Sequence, residues 1–217
     1  EAIALAERFV QSRPGHPGAL EMIYQLHAQA GTLDAYGKQL TAKQADKDGA
    51  ALRRLADFHS RRGDATAALS VLEQLAARQP DDPGVLVEVG RMAMAAGQGD
   101  RAVASYERAA ALRPEDGALQ LELGDLYAEL GDTGRAVAAW RKGTGYTPTD
   151  MNAARRLGKH MLSRGLFQEA VDTYLAARKA SGEPDALAAE LGEAYEAMLL
   201  IEQAVAEYAA AMSSGSG

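Results

Sequence analysis

Leu121–Gly143 reads LELGDLYAELGDTGRAVAAWRKG. Apolar and small residues recur in it at helical spacing, in two stretches of about a dozen residues each. Gly131-Asp132 divides the stretches. Glycine at such a point takes the left-handed conformation that ends one helix, and aspartate directly after it suits the first turn of the next. Gly124 and Ala136 are small enough to let two helices approach closely. The stretch is a helical hairpin.

The hairpin repeats. Stepping by 34 residues from Leu123-Gly124 reaches Leu55-Ala56, Val89-Gly90, Leu157-Gly158 and Leu191-Gly192 without a gap. The same step aligns Gly63, Gly97, Gly131 and Gly165, and then Ala68, Ala102, Ala136, Ala170 and Ala204. It also aligns Leu72, Tyr106, Trp140, Tyr174 and Tyr208, and finally Pro80, Pro114 and Pro148. The aromatic column fills the space between one hairpin and the next, and the proline stops the second helix. A period of this length belongs to solenoids, in which each unit buries its apolar face on its neighbour.

The columns resemble the tetratricopeptide repeat family, whose small residue, tyrosine, alanine, aromatic and proline at fixed offsets are met best by 83–116 and 117–150. The resemblance implies an all-α fold, a right-handed α-α superhelix of stacked antiparallel helix pairs, over residues 1–212 as a single array. The units are 49–82, 83–116, 117–150, 151–184 and 185–212, preceded by an irregular one at 17–48. Residues 1–16 look like the second helix of a partial repeat, because AERFVQSRP parallels YERAAALRP at 106–114. Residues 213–217, SSGSG, read as a linker or tail. Gly143 and Gly145 predict fraying or bending of one second helix, and Leu199-Leu200 replace the turn glycine of the last unit. The predicted core is Leu55, Leu123, Tyr127, Trp140, Leu157, Tyr174, Leu191 and Tyr208.

Composition narrows the chemistry. The 217 residues are 47% hydrophobic and carry a net charge of −7, which disfavours nucleic acid and anionic membrane as partners. No cysteine is present, which removes disulfides, zinc–thiolate sites and thiol nucleophiles. No apolar run is long enough to insert in a membrane. The opening EAIALAERFV has neither Met nor a basic n-region, as in an excerpt or a chain whose leader has been removed. The compartment stays open between cytoplasm and periplasm, and the Ala, Arg and Gly usage suggests a bacterial source.

Catalytic, cofactor and metal sites are not expected. His27 and His59 occupy a column normally held by tyrosine and are read as packed between helices, His160 leans inward, and His16 lies in a loop. GQGD at 97–100 and GTG at 143–145 lack the strand and the Lys-Ser/Thr of a phosphate loop and read as helix ends. No GxSxG or HExxH is present.

The resemblance places ligands in a concave groove lined by the first helix of each pair. Carried residue by residue onto this chain, it displays Arg53, Asp57, Val87, Arg91, Met94, Leu121, Asp125, Arg155, Lys159 and Leu162. The basic members would receive acidic groups, and Val87, Met94, Leu121 and Leu162 would hold apolar anchors. Only Arg155/Lys159 resembles half of the family's carboxylate clamp, so a clamp for a chaperone tail is disfavoured. The charge is uneven. Unit 151–184 has six basic and three acidic residues, and 185–217 has six acidic and none basic.

The expected function is a non-enzymatic protein–protein interaction scaffold that binds a protein or peptide segment. The alternative is a recognition or assembly arm of a larger enzyme, such as a glycosyltransferase, or of a bacterial polysaccharide-export or secretion machine. End-to-end self-association is a third expectation. A bare helix 2–10 at one end and AEYAAAM at the other predict that the natural protein continues, or that another molecule covers an end.

Overall fold

Glycine ends first helices as the periodicity predicts: Gly63, Gly97, Gly131 and Gly165 have φ between 72° and 80°, and Gly31, two residues out of step, has φ 66°. The computed structural model describes residues 2–13, 16–43 and 49–214. Residues 44–48, in the irregular unit 17–48, and the last three residues of the expected tail lie outside the described residues. Thirteen α-helices and no strand are found among the described residues.

The chain divides into two compact units, Glu1–Pro114 and Glu115–Gly217. The first holds α1 (Ala2–Ser12), α2 (Pro17–Gln29), α3 (Leu33–Lys43), α4 (Gly49–Arg61), α5 (Ala65–Arg78), α6 (Pro83–Ala95) and α7 (Gly99–Leu112). The second holds α8 (Gly117–Glu129), α9 (Thr133–Thr144), α10 (Met151–Leu162), α11 (Phe167–Ser181), α12 (Ala188–Ala197) and α13 (Ile201–Ser214).

Aspartates start the helices. Asp64, Asp82, Asp116, Asp132 and Asp150 each accept a hydrogen bond from a backbone N–H in the first turn, at 2.8–3.1 Å. Each such cap stabilises by about 1 kcal/mol. His16 caps α2 in the same way, its Nδ1 accepting from the Ala19 N–H at 3.2 Å.

Within a pair, the helices run antiparallel and touch through glycine. A Cβ on Gly90 would lie 2.5 Å from the Tyr106 ring, on Gly124 2.3 Å from Trp140, and on Gly158 2.2 Å from Tyr174. Gly143 belongs to the same kind of contact. A Cβ there would sit 2.8 Å from the Gly117 carbonyl oxygen, so α9 does not fray at this glycine. It continues to Thr144 and is capped by Gly145 at φ 64°.

Leu55, Leu123, Tyr127, Trp140, Leu157, Tyr174 and Leu191 are buried. Tyr208 corrects the predicted core: it is only half-buried, because no described helix packs beyond α13. Trp140→Ala is expected to cost about 3–5 kcal/mol in urea denaturation, and Tyr208→Ala less than half of that. Equal losses at the two positions would show that the column does not depend on the covering helix.

Candidate functional site

Five of the sequence-predicted site residues fall in each unit. In the first unit, α2, α4 and α6 are the first helices of their pairs. Together with Leu72 of α5 they line a groove of about 380 Å³. Arg53, Asp57 and Arg91 are in its walls, and Ser60, Glu88 and the apolar Leu20, Ala56, Leu72 and Met92 join them. Val87 and Met94 are half-buried and do not line this groove.

The walls are wired together. The Arg53 guanidinium lies 3.5 Å from Asp82 and 3.9 Å from Glu88, tying α4 to the start of α6. Asp57 accepts from Arg61 Nε at 2.7 Å, and the same guanidinium reaches Glu21 of α2. Burial pushes the Asp57 carboxyl up to about 6. Burial also raises Glu88, with Arg53 pulling it back, Asp82 adding to the rise and Arg91 opposing it again. The groove therefore presents fixed charges of both signs around an apolar floor.

In the second unit the predicted residues divide differently. Asp125 is enclosed by side chains: Trp140 Nε1–H donates to its Oδ1 at 2.9 Å, His160 Nε2 lies 2.9 Å from the same oxygen, and Arg164 reaches Oδ2. The His160 ring stands edge-on to Trp140, with centroids 5.0 Å apart. Arg155 pairs with Glu190 of α12, and its Nη1 donates to Asn152 at 3.0 Å. Leu121 is half-buried with its Cγ close to Gly143 of α9, and Leu162 is half-buried near the end of α10. Lys159 is exposed and has no ion pair among the described residues.

Sequence reasoning missed Leu20, Ala56, Leu72, Glu88 and Met92 as groove residues. The spacing of Glu88 and Arg91 on one face of α6 is the signal that would have found Glu88. The floor residues carry no such mark, because in sequence they read as core. His27 and His59 sit as packing groups. His27 is buried and stacks on Tyr36 with centroids 4.2 Å apart, its Nδ1 2.9 Å from Thr32 Oγ1. His59 is half-buried, edge-on to Phe58. Among the described residues no cluster of three or more His, Cys, Asp or Glu could hold a metal ion, and no helix is long and apolar enough to cross a membrane.

Two family models match the chain, both described as tetratricopeptide repeat, one over residues 93–158 and the other over 49–92. No curated protein matches by sequence. Among solved structures, the chain is similar to a tetratricopeptide repeat protein from Parabacteroides merdae, with a TM-score of 0.55 and 16% identity. That match covers 93% of this chain and 77% of the other. A MamA protein matches with a TM-score of 0.51 and 18% identity, covering 79% of this chain and 92% of its own. The human IFIT1 dimer with PPP-AAAA gives a TM-score of 0.52 at 16% identity, over 99% of this chain and 59% of that one. Identities this low speak to the fold.

Two outcomes are expected of these geometries. A carboxyl with a folded-state pKa above its unfolded value holds an extra proton in the fold between the two. The contribution of Asp57 to stability therefore falls as pH rises from 3.8 to about 6. Asp57→Asn lacks this titration, so its Tm relative to the parent shifts in the variant's favour between about pH 4 and pH 7. A gap that stays constant or moves the other way contradicts the buried-carboxyl reading. Asp125→Ala is expected to cost about 1–3 kcal/mol, because it strands the Trp140 N–H and two neighbouring cations or donors. Urea unfolding followed by Trp140 fluorescence measures it, and a neutral result would place Asp125 outside the packing network.

Proposed function

We propose that this chain, which belongs to the tetratricopeptide repeat family, is a non-enzymatic protein-interaction scaffold that holds a partner segment against the first helices of its pairs. The observation that carries this reading is the groove of the first unit. An apolar floor of Leu20, Ala56, Leu72 and Met92 lies between charged walls containing Arg53, Asp57, Glu88 and Arg91. Such a surface suits an extended or helical segment with one or two apolar side chains for the floor and polar groups for the walls. Arg91 is exposed at the groove's edge and is the residue offered to an acidic group of the partner. In the second unit Lys159 and Arg155 play the corresponding part; the half-buried Val87 and Met94 of α6 in the first unit, and Leu121 and Leu162 in the second, contribute apolar edges. Asp57 and Asp125 hold the surfaces in shape. The step from fold to function is an analogy with the family.

A peptide array probed with the parent protein tests it. Bound sequences are expected to combine apolar and acidic residues, and Arg91→Glu is expected to weaken them about tenfold, or about 1.4 kcal/mol. Peptides whose binding ignores Arg91→Glu, Met92→Asp and Lys159→Glu alike would remove the first-helix surface from consideration.

A further inference from the structure

The groove of the first unit is short of positive charge. Arg53 is shared by two carboxylates, Asp82 at 3.5 Å and Glu88 at 3.9 Å. Arg61 is shared in the same way, by Asp57 at 2.7 Å and by Glu21. With Arg91 counted, three guanidinium groups stand against four carboxylates.

Two of those carboxylates keep unused acceptors inside the groove. Asp57 accepts from Arg61 through Oδ2, and its Oδ1 accepts no hydrogen bond among the described residues. Glu88 accepts none among them either, its contact with Arg53 lying beyond hydrogen-bond reach. Both side chains line the groove, 27% and 41% exposed. Carboxylates that serve packing in this chain are treated differently. Glu207 takes two hydrogen bonds from Arg178, and Asp125 is met by Trp140, His160 and Arg164. Burial pushes Asp57 up to about 6 and raises Glu88 as well, against the pull of Arg53. An added cation stabilises such a half-buried carboxylate more than an exposed one, because the low local dielectric strengthens the contact.

The floor decides the form of the cation. Leu20, Ala56 and Leu72 are buried and Met92 is half-buried, and all four border the same space. A small hydrated cation would leave that apolar surface wet. A Lys or Arg side chain covers it with a methylene stem and still carries its charge to the wall.

We propose that the groove receives a Lys or Arg side chain of a partner segment, its stem along Leu72 and Met92 and its charged head between Asp57 and Glu88. The proposal rests on the groove reading above and adds a basic residue to the acidic group taken by Arg91.

Protons compete with such a head. The ionisable groups around Asp57 are Glu21 on α2, Tyr36 on α3, Arg53 and Arg61 on its own helix, and Asp82, Glu88 and Arg91 at α6. From α5 the lining takes only Leu72. Asp57 is protonated below about pH 6, so the incoming cation is held less tightly there than at higher pH.

An array of octapeptides tests the proposal, each position in turn holding Lys, norleucine or Glu while the others are mixed. Norleucine keeps the stem and removes the charge. At about 150 mM salt and about pH 7.5, one position is expected to favour Lys over norleucine by at least about tenfold. Anisotropy on the best peptide should show Glu88→Gln and Asp57→Asn each cutting that preference by about fivefold. Glu193→Gln, in the second unit, leaves it unchanged. Near pH 5 the preference shrinks in the parent while the norleucine peptide binds as before. Thermal melts check that the variants fold, and Glu88→Gln, at a partly exposed side chain, carries the test if Asp57→Asn does not. Peptides that respond to Arg91→Glu but ignore the charge on the stem overturn this proposal and leave the groove reading standing. A Lys preference untouched by pH, or by both carboxylate variants, overturns it too. Failure of every peptide to bind below about 1 mM overturns both readings.

Discussion

The contact on which each hairpin rests is a large ring lying directly on helix backbone. Tyr106, Trp140 and Tyr174 occupy the space that a Cβ on Gly90, Gly124 and Gly158 would need, with clearances of 2.2–2.5 Å. Glycine inside a helix costs roughly 0.5–1 kcal/mol relative to alanine. Full burial of an aromatic side chain contributes about 1.5–3 kcal/mol or more. The trade is favourable only while the ring is covered on its other side. That condition passes the requirement to the next pair, which is why such chains are built as arrays. In the last hairpin Tyr208 makes the same approach to Gly192, at 2.6 Å, without a covering helix among the described residues.

Ion pairs then join successive pairs. Arg178 meets Glu207 with two hydrogen bonds, at 2.9 and 2.6 Å, where both side chains are mostly buried. Arg155 of α10 reaches Glu190 of α12, and Arg53 of α4 reaches Asp82 and Glu88 at α6. A bidentate arginine–carboxylate contact fixes direction as well as distance. These pairs make the uneven charge of 151–184 and 185–217 in part an internal matter between neighbours. What they leave unmet, Glu193 and Glu202, lies toward the end of the second unit.

Helix pairing was legible because each column reports a steric need that few residues satisfy. The turn glycines, the Gly124 column and the aromatic column all recur at one step, and the structure uses each as its chemistry requires. A further in-phase column was present and unread: Asp82, Asp116 and Asp150 are also one step apart and cap α6, α8 and α10. Single positions were harder. Gly143 looked like a weak point in a helix, and it is a contact with Gly117, a partner that periodicity does not reveal. Tyr208 shared a column with buried rings, but burial depends on what covers a residue, and a column does not carry that information.

Surface residues resist the same reading for a related reason. Position in a repeat says which side of a helix a residue takes, and it does not say what the side chain does there. Asp125 and Arg91 occupy the same place in successive repeats, one step of 34 apart. Asp125 is held by Trp140, His160 and Arg164, whereas Arg91 stands exposed at the edge of a groove. The difference arises from residue 140, where an indole N–H needs an acceptor, and from the cation at 164. A carboxylate committed to such donors gives up little to a ligand, because the donors would be left unpaired when it turned away. What a surface position does is therefore decided repeat by repeat, through the neighbours each side chain happens to have.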